Sequence, residues 1–268
     1  MSAEQSDRLS APPPELVRSL VEGPSAVAAV EWHDELDSTN AEAARRAAAG
    51  APEILVVGAE HQSAGRGRLD RTWVAPPRRS LTFSMLLRPP VGPESLPLLP
   101  LLAGMALAEV AGGYCRDVEV GLKWPNDLLI GGGKAAGVLV EAVPGAVIVG
   151  IGLNIDWRGV ERAEELAGAI SLAEATDLPV NRWRILAALL GVFSQRYELF
   201  KDLPAAFLDG YRDRSLTIGR PVRVELLGGA ELQGEATGIA ATGALEVRDS
   251  AGVTHRVSAG DVHHLRPA

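Results

Sequence analysis

The stretch Glu60-His61-Gln62-Ser63-Ala64-Gly65-Arg66-Gly67-Arg68-Leu69-Asp70-Arg71-Thr72-Trp73 alternates two glycines with two arginines, directly behind an apolar run at residues 54–57. Glycine carries no Cβ and lets a backbone approach a ligand closely. Arginine adds a permanent charge on a rigid fork of donors that matches phosphate and carboxylate. A loop of this make-up at the end of a buried strand is suited to wrapping an anion. Read by itself, it also describes a solvated basic loop or an RGG-like RNA patch.

A second concentration of such groups lies at residues 121–141. Lys123 and Lys134 flank a glycine-tipped hairpin, Asn126 and Asp127 follow Pro125 in a turn composition, and Gly131, Gly132, Gly133 and Gly137 surround Lys134. Backbone donors and positive charge at this density fit a triphosphate or an acyl phosphate; the plainer alternative is a hairpin turn with solvated lysines. Arginine replaces lysine almost everywhere else, since Lys123, Lys134 and Lys201 are the only lysines. Two of the three therefore stand out by position.

The chain as a whole narrows the ligand. Its 268 residues carry a formal charge of −8, with 47% hydrophobic and 22% charged residues, the balance of a soluble globular protein with one large and one small domain. An acidic chain argues against nucleic acid as the main partner, so the arginines are a local feature that favours a small anionic ligand. The single cysteine, Cys115, excludes an intrachain disulfide and an all-cysteine zinc site, and reads as a small buried hydrophobe. No signal-peptide pattern and no apolar run of roughly 18 residues is present, so the expectation is a cytoplasmic protein without membrane contact.

These groups need elements to hold them. Periodicity predicts strands at 30–36, 54–59, 80–87, 118–124, 127–130, 135–143 and 147–151, with helices at 39–49, 98–110, 182–199 and 204–214. Thr39 with Glu42 fits a capping box at the start of the first of these helices. Residues 1–29 carry a triple proline and a short helical pattern at 16–21. Beyond 216 the texture changes to short strands at 222–226, 232–237, 244–247 and 254–257 with glycine turns, the pattern of a small closed SH3-like barrel. The expected division is an extension at 1–29, a catalytic domain at 30–215 and a small domain at 216–268.

Five motifs occur in fixed order: Ser38-Thr39-Asn40, Gly65-Arg66-Gly67-Arg68, Lys123-Trp124-Pro125-Asn126-Asp127, Gly133-Lys134-Ala135-Ala136-Gly137 and Gly150-Ile151-Gly152-Leu153-Asn154. Together they closely resemble the biotin protein ligases from about residue 30 to the C-terminus. The resemblance implies an α+β fold: a mixed β-sheet catalytic domain with flanking helices, plus the SH3-like barrel. It implies an enzyme that forms biotinyl-5′-AMP from biotin and ATP with Mg²⁺. Biotin then passes to a lysine of a biotin carboxyl carrier domain of an acyl-CoA or pyruvate carboxylase. With 29 residues ahead of the catalytic region, the expectation is a ligase that does not bind DNA. A lipoate or octanoate ligase, or a non-catalytic biotin- or nucleotide-binding protein, is the alternative.

Carried over residue by residue, the resemblance places Ser38, Thr39, Asn40, Gln62, Gly67 and Gly137 at biotin. Arg66 holds carboxylate and phosphate, Arg68 fixes the closed loop, and Lys134 bridges the carboxylate and the α-phosphate. Arg71, Trp73, Lys123, Asn126 and Asn154 fall at the nucleotide, and Asp127 at the metal. Two departures stand out: Leu69-Asp70-Arg71 where the family often continues with a second Gly-Arg pair, and Ala135 where leucine is usual.

Overall fold

Seven apolar strands build the main sheet: β1 (Ala29–Leu36), β2 (Leu55–Gln62), β3 (Ser80–Leu87), β4 (Val120–Lys123), β5 (Asp127–Ile130), β6 (Gly133–Val143) and β7 (Ala146–Asn154). The computed structural model describes residues 11–23, 27–69, 71–226 and 229–265. The strands pair in the order β1-β2-β3-β7-β6-β5-β4; β1 and β2 run parallel and the other neighbours antiparallel. The sheet is therefore mixed, as expected.

Strands β3 and β7 are buried along their whole length, because helices cover both faces of the sheet. On one face α3 (Leu99–Tyr114) and α4 (Arg182–Asp202) bring Leu102, Met105, Leu189 and Phe193 into one core with Phe83, Met85, Val149 and Ile151. On the other face the alanine-rich α2 (Thr39–Ala48) lays Ala43 against Leu55, Val57, Leu86 and Ile148. Alternation along β2 and β3 supplies both layers, Val56 and Met85 to the first, Val57 and Leu86 to the second. Helix α2 is only ten residues long, so it leaves the far end of its face open beside Gly137, Gly150 and Gly152.

Several boundaries differ from the sequence reading. The N-cap of α2 is Ser38, whose hydroxyl accepts from the Ala41 amide, and not Thr39. Glu42, the other half of the expected box, pairs instead with Arg45 and Arg46. Helix α3 runs to Tyr114 and is preceded by a 3₁₀ turn, Pro93–Leu98. Pro97 falls in that turn, whereas Pro100 sits in the first turn of α3, where a missing N–H costs nothing. Cys115 is buried, 4% exposed. Pro93–Tyr114 is the one described stretch long and apolar enough to cross a membrane, and most of it lies inside the core. The expected helix at 204–214 shortens to α5 (Leu208–Asp213), and the predicted patch at 16–21 is α1 (Pro14–Glu22).

A second, five-stranded sheet follows: β8 (Pro221–Leu226), β9 (Glu231–Ile239), β10 (Leu245–Arg248), β11 (Thr254–Val257) and β12 (Gly260–His264). Its order is β11-β10-β9-β8-β12, and no ladder joins β11 to β12 among the described residues. The expected closed barrel is thus a small open sheet, with one strand, β12, that the periodicity did not locate. Trp124 joins the two sheets: its indole N–H donates to Gly243 O at 2.9 Å and its amide donates to Thr217 Oγ1 at 3.1 Å. Thr217 Oγ1 also meets His264 Nε2 at 3.1 Å.

Candidate active site

Glycines make the floor of a cleft on the α2 face. A Cβ at Gly150 would overlap Asn40 Oδ1 and lie 2.9 Å from its Cγ, and one at Gly152 would overlap the Trp73 ring, 2.6 Å from Nε1. A Cβ at Gly137 would sit 3.1 Å from the same ring. Three missing side chains thus let Asn40 and Trp73 lie flat on the strands. The cleft opens to solvent, has a cavity volume of about 130 Å³ and is lined by Ser38, Thr39, Asn40, Gln62, Arg66, Gly67, Arg68, Arg71, Trp73, Asn126, Asp127, Lys134 and Gly137.

The start of α2 is fixed by its own charges. Arg45 hydrogen bonds, with help from the Ser38 amide, hold the Asp37 carboxyl down to about 2. Behind it, Thr39 N donates to Gln62 Oε1 at 2.8 Å. Ser84, fully buried on β3, lies 2.6 Å from Asn40 Oδ1 and 2.8 Å from Thr39 Oγ1. An amide oxygen can only accept, so the Ser84 proton goes to Asn40 and fixes that side chain's orientation. Asn40 Nδ2 then faces Glu141 Oε2 at 2.7 Å. The result is a polar wall of rigid donors and acceptors at one end of the cleft.

The arginine loop closes the other side as a short hairpin. Arg66 bridges Thr72, Gly67 N donates to Arg71 O at 2.6 Å, and Trp73 N donates to Gly65 O at 3.0 Å. Leu69 sits at the tip with φ 54°; the Asp70 departure lies outside the described residues. Arg66 is 48% exposed and pairs with Glu141 through two contacts of 3.0 Å. Arg71 pairs with Asp261 of the second sheet. Lys134 Nζ is 2.7 Å from Asp127 Oδ1 and 5.8 Å from the centre of the Trp73 ring. Arg68 differs: it is half-buried, forms no ion pair among the described residues, and reaches only Asn126 Oδ1, at 3.3 Å. Burial pushes its guanidinium down from the ordinary value, opposed by the charges of Asp127 and Asp261; it stays protonated.

Two expected residues do not line the cleft. Lys123 stands at the junction of the sheets, where its charge reaches His264. Asn154 is buried and donates to Lys134 O at 3.2 Å and Ile170 O at 3.0 Å, so it holds the Lys134 backbone from behind. Trp73 lies in the cleft with a buried Nε1 that has no hydrogen-bond partner among the described residues. Asp127 Oδ1 is buried and met only by the Lys134 ammonium among the described residues. One such carboxylate suits a hard cation that arrives on phosphate oxygens. Glu225, Asp261 and His263 also bring ligand atoms within 4.8 Å of one another, but Arg223 and Arg71 already neutralise the two carboxylates.

Sequence reasoning missed Ser84, Glu141 and Asp261. A serine inside the otherwise apolar run Phe83-Ser84-Met85-Leu86 is a readable signal, since an isolated buried hydroxyl needs a partner. Asp261 has none, because it meets the cleft only through the packing of the two sheets.

Fold and cleft together define a protein that binds small anionic ligands over a glycine-floored mixed sheet. Residues 34–157 match the model of the biotin/lipoate A/B protein ligase family, and residues 217–265 that of the biotin protein ligase C-terminal domain. The chain is 40% identical over 233 residues to the biotin–[acetyl-CoA-carboxylase] ligase of Mycobacterium tuberculosis, covering 85% of this chain and 86% of that one. To the bifunctional ligase/repressor BirA of Bacillus subtilis it is 33% identical over 240 residues, 85% of this chain and 72% of that one. The solved biotin protein ligase from Aquifex aeolicus in complex with biotin and ATP superposes with a TM-score of 0.77 at 29% identity, covering 89% and 99% of the two chains. This chain belongs to the biotin protein ligase family.

Proposed function

We propose that the chain is an ATP-dependent biotin protein ligase that loads a lysine of a biotin carboxyl carrier domain. The observation that carries the reading is Arg68, a half-buried cation with no ion pair among the described residues, which lines the same cleft as the polar wall of Thr39, Asn40 and Gln62 and the ion-paired Lys134. The polar wall suits the uncharged ureido ring of biotin. The cations beyond it suit the valerate carboxylate and the phosphates of ATP.

In the first half-reaction a biotin carboxylate oxygen attacks the α-phosphorus of ATP, the bond to the β-phosphate oxygen breaks, and pyrophosphate leaves. Both reactants are anions, so alignment and charge neutralisation carry the step. Lys134 bridges the two reacting groups once Asp127 releases it. Arg68 takes the role first expected of Arg66 and meets the carboxylate and α-phosphate, because Arg66 is committed to Glu141. Asp127 would help to hold a magnesium ion brought in on the phosphates, and that ion would supply neutralisation of the departing pyrophosphate. Trp73 offers its ring and a free indole N–H to the nucleotide. In the second half-reaction the neutral lysine amine of the carrier attacks the acyl carbon of biotinyl-5′-AMP, loses a proton, and AMP leaves.

The test is pyrophosphate release by the purified protein with Mg-ATP and biotin, lipoate or octanoate, with and without a carrier domain. Biotin-dependent release followed by carrier labelling is the expected result. Release driven only by lipoate or octanoate reassigns the substrate, and biotin binding without release discards the ligase mechanism.

A further inference from the structure

Glu141 stands near the C-terminal end of β6, opposite Ile148 of β7, and reaches both sides of the cleft at once. Its Oε2 accepts from Asn40 Nδ2 at 2.7 Å and from Arg66 Nη2 at 3.0 Å, while its Oε1 meets Arg66 Nη1 at 3.0 Å. The Arg66 contact is a two-point fork, the strongest and most directional form of an arginine–carboxylate pair. Asn40 cannot rotate away, because Ser84 holds its oxygen and Gly150 its flat approach.

We propose that Glu141 is a positioning residue that latches the arginine loop shut by tying Arg66 to the same carboxylate that orients Asn40. Its consequence for the reaction rests on the ligase reading above: a shut loop retains biotinyl-5′-AMP until a carrier lysine arrives. Isolated surface ion pairs contribute little, and the exceptions are bidentate or networked. This pair is both. Among the described residues the other polar side-chain tethers of the loop arginines are the 3.3 Å contact of Arg68 with Asn126 and the pair of Arg71 with Asp261, so one lost latch changes the open population of the loop tip measurably. A glutamine at 141 still presents one oxygen to Asn40 but turns an amide N–H₂ toward a guanidinium, which has no acceptor to meet it.

The experiment uses the whole protein, first without ligand. Trypsin cuts after arginine, and native-state cleavage tracks the open population when reclosing is fast. Glu141→Gln is expected to raise cleavage after Arg66, Arg68 and Arg71 by about five- to tenfold while cleavage elsewhere stays put. Arg66→Ala is expected to raise cleavage after Arg68 and Arg71 equally, and the double variant no further. With biotin and Mg-ATP, Glu141→Gln then releases adenylate about as many times faster, read as biotinylation of bystander lysines on an added inert protein. Unchanged loop cleavage in Glu141→Gln, or additive effects in the double variant, overturns the latch. Should Glu141→Gln fail to fold, Arg66→Ala decides alone, because its side chain is on the surface and unchanged cleavage there has the same force. Absence of adenylate in the unaltered protein refutes the ligase reading, and the proteolysis still decides the latch.

Discussion

Replacing Gly150 with alanine tests whether the glycine floor exists to seat Asn40. The new Cβ would lie 2.9 Å from Asn40 Cγ and closer still to Oδ1, so Asn40 must retreat by roughly 1 Å to regain ordinary contact. It is pinned on three sides, by Ser84 at 2.6 Å, Glu141 at 2.7 Å and Leu139 O at 3.3 Å. A retreat of that size breaks the two short bonds. One is neutral and the other charge-assisted, which together amount to about 2–4 kcal/mol. For a protein of this size that lowers Tm by roughly 5–15 °C, and biotin binding, measured calorimetrically, weakens at least tenfold. The control is a double-mutant cycle with Asn40→Ala. If the clash is the cause, most of the cost of Gly150→Ala disappears in the Asn40→Ala background. Equal destabilisation in both backgrounds would refute the seating argument and assign the loss to the strand backbone.

Further expectations follow from the same geometry. Lys134→Ala should lower the rate of biotin-dependent pyrophosphate release by about 10²–10³-fold, the usual scale for a lost charge-stabilising donor; a near-normal rate in stopped-flow assays would remove Lys134 from its bridging role. Arg68→Gly should weaken biotin and ATP binding together, whereas Arg66→Ala should chiefly raise loop opening, and titration of both variants with each ligand separates the two arginines. His264 is held down to about 4 by burial, reinforced by the charges of Lys123 and Arg220. Because its folded pKa is lowered, stability is fully present above the unfolded value near 6.5 and declines as pH falls toward 4. Allowing for solvent screening of the half-exposed ring, the loss is roughly 1–2 kcal/mol. His264→Gln should flatten that slope in denaturant midpoints taken at pH 7 and pH 5.

What the sequence made legible was mostly local. Gly65-Arg66-Gly67-Arg68 and Gly133–Gly137 could be picked out because a glycine-rich run spends conformational freedom on close approach, and Lys134 because it survives in a chain that otherwise chooses arginine. The individual strands and helices followed from their periods, whereas their assembly into a mixed sheet with flanking helices came from the family resemblance. What stayed hidden depends on contacts between distant segments. Ser38 rather than Thr39 caps α2 because the Thr39 hydroxyl is taken up by Ser84 and Gln62, partners 45 and 23 residues away. Lys123 looked like a phosphate ligand from spacing, yet the strand carries it to the junction with the second sheet. The open five-stranded sheet read as a closed barrel because short strands and glycine turns describe both equally.

The charge pattern of the cleft explains how an acidic protein keeps a cationic site. Arg66, Arg71 and Lys134 each rest on a carboxylate of the protein, Glu141, Asp261 and Asp127, so their mutual repulsion is offset without any bound anion. Among the described residues Arg68 forms no ion pair: it reaches the Asn126 amide, and the more distant charges of Asp127 and Asp261 act on it against that of Arg71. An arriving ligand carboxylate or phosphate therefore has one cation to meet directly and one, Lys134, to win by exchange with Asp127. Exchange of one oxygen anion for another costs far less desolvation than exposing or burying a bare ammonium. On the proposed mechanism it also ties ammonium release to the arrival of a competing anion, so Lys134 would face the reacting atoms only when a substrate is there to hold it.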